Sequence, residues 1–143
     1  MTYLFLDFDG VTHPVSANGH YFRKENLEPL AASIKGLDVK VVIASTWRLD
    51  EHIDELKQLL GDIGSSVVGV TPEINEPFIK HIRQCEVELY LEQHVPNHEK
   101  WIAIDDTAAF YRTNSHLVLT DGRVGFSELD GVLLRKLIIT ISS

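Results

Sequence analysis

Cysteine is nearly absent from this chain. Cys85 stands alone among 143 residues, which excludes an internal disulfide and fits a reducing compartment. Long apolar runs are missing too. None approaches the roughly 20 residues that span a bilayer, so no membrane partner is expected. The amino-terminal stretch has no basic region, and Asp7 and Asp9 interrupt its apolar residues, so a secretory leader is not expected. A cytoplasmic setting follows as the expectation. Positive charge is scarce: 13 Lys and Arg against 21 Asp and Glu give a formal net charge of −8. Nucleic-acid phosphates need basic residues, so this balance argues against such a partner, although acids gathered around a cation would cancel part of it. No Gly-rich Walker loop is present. His94 and His98 are four apart, but Pro96 between them breaks the helix that would align them for zinc.

What the chain does have is a hydrophobic content of 44%, enough for one packed core, and a length that suits a single domain over residues 1–143. Apolar segments of two kinds alternate. Tyr3-Leu4-Phe5-Leu6 reads as a buried strand. Asn26 is positioned to cap a helix bearing Leu27, Leu30, Ala31 and Ile34, closed by Gly36. Residues 39–45 read as a second strand, nearly continuous in apolar character as buried parallel strands are. Leu49, Ile53, Leu56 and Leu60 form a helical stripe closed by Gly61, and residues 66–70 a short strand. Phe78, Ile82, Cys85 and Leu89 form a third stripe, with Cys85 read as core packing. Trp101 to Ile104 and residues 116–119 complete the strands. Ser127 with Asp130 makes a capping box for a last helix carrying Leu129, Val132, Leu133 and Leu137. This alternation predicts a doubly wound, Rossmann-like α/β domain with a parallel sheet of about five strands.

The chemistry collects at strand ends. Asp7-Phe8-Asp9-Gly10-Val11 directly follows the first strand, and two carboxylates two residues apart point to the same side. Gly10 lets the backbone turn sharply. Asp105-Asp106 ends another apolar strand. Open α/β sheets bind ligands at the carboxyl ends of their strands. Four carboxylates converging there repel one another, and a divalent cation is the natural remedy. Ser45-Thr46 ends the second strand, and Lys80 and Arg83 lie on one face of the helix before the fourth.

This set, in this order, resembles the haloacid dehalogenase (HAD)-like hydrolase superfamily in its capless form. The run Ser45-Thr46-Trp47-Arg48, the spacing of Arg83 and Glu86, and the Ile104-Asp105-Asp106 strand end are similar to the HAD domain of bacterial RNA-repair proteins. The resemblance implies a magnesium-dependent phosphatase. Asp7 matches the nucleophile that becomes an aspartyl phosphate. Asp9 matches the general acid and base. Ser45 matches the hydroxyl that bonds the transferring phosphoryl group. Arg83 is the chosen basic residue, with Lys80 in reserve. Asp7, Asp9, Asp105 and Asp106 are the expected Mg2+ ligands, Asp106 acting through its contacts with the others. Gly10, Thr46, Arg48 and Lys80 are expected to border the substrate. For Arg48, structural pairing with a site carboxylate is the favoured alternative. Trp47 reads as packing, and His13, His20, Tyr111 and Arg112 as surface residues.

Two rivals stand beside this reading. A receiver-like regulator would carry its phosphorylated aspartate after the third strand, and here that strand ends in Gly69-Val70 without an acid. A non-catalytic or weakly catalytic phosphate- or metal-binding module would keep every motif residue. The substrate is a phosphorylated molecule of unspecified kind. A nucleic-acid phosphate end stays open, against the net charge. Residues 12–25 and 71–77 are too short for a cap domain, with a tight turn expected at Asn18-Gly19. An open cleft suited to phosphate on a large carrier is expected.

Overall fold

The computed structural model describes residues 1–17 and 21–143, in which strands and helices alternate. Strand β1 (Thr2–Leu6) leads to helix α1 (Lys24–Ile34), and β2 (Val39–Ile43) to α2 (Ile53–Leu59). Then come β3 (Val67–Val70), α3 (Ile82–His94), β4 (Trp101–Asp105), β5 (Leu117–Leu119) and α4 (Glu128–Ser142). The five strands form one sheet in the order β3-β2-β1-β4-β5, with every neighbouring pair parallel. This is the doubly wound α/β architecture that the alternation predicts. The expected turn at Asn18-Gly19, and His20, lie outside the described residues. No helix among those described is long and apolar enough to cross a membrane.

Alternation within the central strands builds two apolar layers. Leu4, Leu6, Val41, Ile43, Ile102 and Ile104 pack on one face against Leu30 and Ile34 of α1, Leu56 of α2, and Leu134 and Ile138 of α4. Tyr3, Phe5, Val42, Ala44, Trp101 and Ala103 pack on the other against Val87, Tyr90 and Leu91 of α3, and against Tyr111. Such two-sided burial is why these strands read as continuous apolar runs.

Several helix details differ from the sequence expectation. Arg23, not Asn26, holds the cap position of α1. Asn26 lies inside the first turn, where its amide donates to the carbonyls of Val124 and Phe126 at 3.0 Å each. Leu49 belongs to a short 3-10 turn (Thr46–Leu49) and is half exposed. Phe78 is fully exposed in a left-handed conformation, and His81 is left-handed too, so α3 starts only at Ile82. Its buried residues are Glu86, Val87, Tyr90 and Leu91, and Cys85 is only half-buried. The capping box of α4 forms as expected, Ser127 Oγ accepting from Asp130 N at 3.2 Å and Asp130 Oδ2 from Ser127 N at 2.9 Å. The helix then buries Gly131, Leu134 and Ile138 and leaves Leu129, Val132 and Leu133 exposed. The apolar residues of α4 run nearly all round it, so periodicity alone picked the wrong face.

Candidate active site

Strands β2 and β3 lie on one side of β1, and β4 and β5 on the other. The chain therefore changes direction beside β1, and the carboxyl edge there is where open α/β sheets bind ligands. Leu6 is level with Ile104, and Asp7 N donates to Ile104 O at 3.1 Å. Asp7 and Asp105 thus leave neighbouring strands side by side. One carboxylate oxygen from each of Asp7, Asp105 and Asp106 lies within 4.8 Å of the others. Asp105 is fully buried; its Oδ1 accepts from Thr107 N at 3.0 Å, while Oδ2 has no partner among the described residues. Asp106 Oδ1 accepts from Thr107 Oγ1 at 3.1 Å. Two glycines make room for Asp106. A Cβ on Gly10, whose φ is +80°, would lie 2.6 Å from Asp106 Cγ, and one on Gly122 would lie 2.5 Å from Asp106 Oδ2.

Asp7 and Asp105 are poorly placed to carry their charges as they stand. Burial pushes the Asp7 carboxyl well above its usual range, and the Asp105 charge adds to it, against the Phe8 backbone N–H and Arg83. Burial likewise raises Asp105 to about 7, opposed by the Thr107 backbone N–H and reinforced by Asp106. An orphaned buried carboxylate oxygen among three acids suits a hard cation that prefers oxygen ligands.

Fixed positive charge reaches this group from α3. Arg83, 12% exposed, is the cation that opposes the upward shifts of both Asp7 and Asp105. Its Nη1 donates to Glu86 Oε1 at 2.8 Å, and its guanidinium lies over the Phe110 ring, 5.3 Å from the centroid. Its Nε is buried and without a partner among the described residues. Lys80 is exposed, in the turn ahead of α3 rather than on its face. Arg48 does not border the substrate; it takes the structural pairing with a carboxylate that was its other reading. It donates to Thr71 O (2.8 Å), Ser45 O (2.9 Å), Pro72 O (3.3 Å) and Glu86 Oε2 (2.9 Å), with its side chain only 2% exposed.

The remaining expected residues divide. Ser45 is fully buried at the end of β2, its Oγ accepting from Trp47 N at 3.2 Å. Thr46 is exposed beside it. Asp9 is half-exposed at the same edge, and the three-acid group does not include it. Its Oδ1 is instead bonded by His13 Nε2 at 2.9 Å and Trp47 Nε1 at 3.2 Å.

A family model describing the HAD domain in Swiss Army Knife RNA repair proteins matches residues 3–133. The chain belongs to this family. No curated protein and no solved structure matches it. HAD membership points to hydrolase chemistry of the phosphatase type, in keeping with the resemblance carried by the strand-end acids. Two contributors to this HAD site escaped the sequence reading, and a third, Glu86, was read only as part of the spacing with Arg83. His13, expected at the surface, is 4% exposed and binds Asp9. Tyr111, also expected at the surface, is buried with a hydroxyl that has no partner among the described residues, and burial followed by the charges of Asp105 and Asp7 holds that hydroxyl far above its usual range. Glu86 interrupts an otherwise apolar helix face, a signal that could have marked it as the partner of buried arginines.

Proposed function

We propose that the protein is a magnesium-dependent phosphomonoester hydrolase that works through a phosphoaspartyl intermediate on Asp7. The observation that carries this reading is the convergence of Asp7, Asp105 and Asp106 within 4.8 Å at the carboxyl edge, with the partly buried Arg83 acting on Asp7 and Asp105. Asp7, Asp105 and Asp106 would hold the ion, which, when bound, would offset their mutual repulsion and the charge of an approaching phosphate.

In the first step an Asp7 carboxylate oxygen attacks phosphorus. The bond to the ester oxygen breaks, and that oxygen takes a proton from Asp9. In the second step Asp9, now a carboxylate, removes a proton from water as the water attacks the phosphoryl group. Phosphate leaves and Asp7 is restored. Arg83, anchored by Glu86, supplies fixed positive charge toward the phosphoryl oxygens, and Ser45 a hydroxyl donor. The description of the family names RNA repair, which makes a phosphate end of RNA the first substrate class to test, despite the acidic net charge.

Hydrolysis of an aryl phosphate with magnesium, and its loss with a chelator, tests the reading. Asp7→Asn keeps the shape of the side chain and should reduce turnover by several orders of magnitude. Retention of more than about a tenth of the activity would exclude covalent catalysis by Asp7. Absence of turnover by the unaltered protein on aryl and oligonucleotide phosphates would favour a binding module.

A further inference from the structure

We infer that His13 and Trp47 are positioning residues that fix one oxygen of the Asp9 carboxylate so that the other faces the leaving group; the inference rests on the phosphatase reading. The Asp9 side chain is 50% exposed at the carboxyl edge. An aspartate that open ordinarily samples several rotamers. Here two ring nitrogens converge on Oδ1, His13 Nε2 at 2.9 Å and Trp47 Nε1 at 3.2 Å. Among the described residues, Oδ2 has no partner.

Both rings are themselves held. His13 Nδ1 is 3.2 Å from Thr12 Oγ1, which in turn donates to Phe8 O at 3.2 Å. The imidazole stacks on Phe22, with centroids 5.7 Å apart and planes 11° from parallel. The main chain closes the same loop, Gly10 N donating to His13 O at 2.9 Å. Trp47 stands edge-on to Phe8 at 5.7 Å and packs beside Phe22 at 5.3 Å. Its backbone N–H is tied to Ser45 Oγ, so the clamp is built on the end of β2. Packing alone requires no nitrogen at either position. Two nitrogens aimed at one carboxylate oxygen go beyond what burial of aromatic rings demands.

The consequence is geometric. When the bond between phosphorus and the ester oxygen breaks, the proton on Asp9 must lie along the path to that oxygen. A clamp on Oδ1 leaves Oδ2 as the atom that gives the proton up and later takes one from water. Misplacement of a reacting group by about 1 Å costs about 10²-fold. Loss of the clamp should therefore matter only where proton transfer matters.

The test compares 4-nitrophenyl phosphate, whose leaving group departs without a proton, with a simple alkyl phosphate. The proteins are the unaltered chain, Trp47→Phe, His13→Leu and His13→Gln, with circular dichroism and melting checked for each. Trp47→Phe keeps the ring and removes the N–H. His13→Gln restores an N–H near the position of Nε2. Trp47→Phe and His13→Leu should slow the phosphorylation step, read by single-turnover release of the alcohol, about tenfold more on the alkyl ester than on the aryl ester; hydrolysis of the aspartyl phosphate is common to both. His13→Gln should recover most of the difference. Equal losses on both esters in the phosphorylation step, or losses confined to KM, would overturn the inference and leave the phosphatase reading intact. Should His13→Leu fail to fold, Trp47→Phe decides alone. Failure of the unaltered protein to hydrolyse either ester or a phosphorylated oligonucleotide would overturn the phosphatase reading and this inference together.

Discussion

Asp7 and Asp105 are carboxylates held where water cannot solvate their charge. Asp105 carries the clearer signature, its carboxyl raised to about 7 chiefly by burial. A raised pKa means that the folded chain holds a proton that the unfolded chain has released. Below about pH 4 both states are protonated, and the site costs nothing. Between about pH 4 and about pH 7 the unfolded state ionises first, so stability falls as pH rises. Metal-free protein should accordingly melt at lower temperature at pH 7.5 than at pH 5. Asp105→Asn should flatten that slope, and magnesium, by favouring the ionised form, should do the same in the unaltered chain. A slope unaffected by either change would show that Asp105 is not the group responsible. At this scale the site was largely legible. Asp7, Asp105 and Asp106 could be read because acids after apolar strands fall on one edge. His13 and Tyr111 could not, because nothing local marks which surface-type residues a distant segment will cover.

Helix α3 shows how an element can be chosen for one side chain. Glu86, 2% exposed, accepts from Arg83 Nη1 at 2.8 Å, Arg48 Nη2 at 2.9 Å and Ile74 N at 3.0 Å. Arg48 in turn gathers the carbonyls of Ser45, Thr71 and Pro72. One carboxylate thus joins the ends of β2 and β3 to α3 and aims Arg83 at the acids. Glu86→Ala would leave two guanidiniums short of their counter-charge in a poorly hydrated place, and breaking such a buried pair costs about 3–5 kcal/mol. Denaturant unfolding should show that loss; one below about 1 kcal/mol would mean the network behaves as an exposed ion pair. The same helix explains why element faces were harder to read than elements. The stripe from Phe78 through Leu89 has helical spacing, yet left-handed Phe78 and His81 end the helix early. The face that packs is the one bearing Glu86. In α4 the apolar surplus hid the true face, with Leu129 68% exposed and Leu134 buried.

At the scale of the whole molecule, the strand order sets the chemistry. Placing β1 between β2 and β4 brings Asp7, Ser45 and Asp105 to one edge, although they are far apart in sequence. Strand alternation and buried apolar runs announced the parallel sheet, while its strand order is set by long-range pairing that no local pattern marks. The Asp9 side chain, 50% exposed, shows that solvent reaches this edge beside the acids. An open site gains little binding energy from a small metabolite beyond its phosphate. Small phosphate esters should therefore show KM near about 1 mM, the upper end of the common range, and phosphorylated oligonucleotides lower values. A micromolar KM for a sugar phosphate would contradict the open site. The covalent role of Asp7 can be tested directly. The protein is mixed with magnesium and an aryl phosphate, quenched in acid during turnover, digested and weighed by mass spectrometry. The account predicts one added phosphoryl group on the peptide containing Asp7, absent from Asp7→Asn and lost on treatment with hydroxylamine. Turnover with no such adduct under burst conditions, or an adduct on another residue, would contradict it.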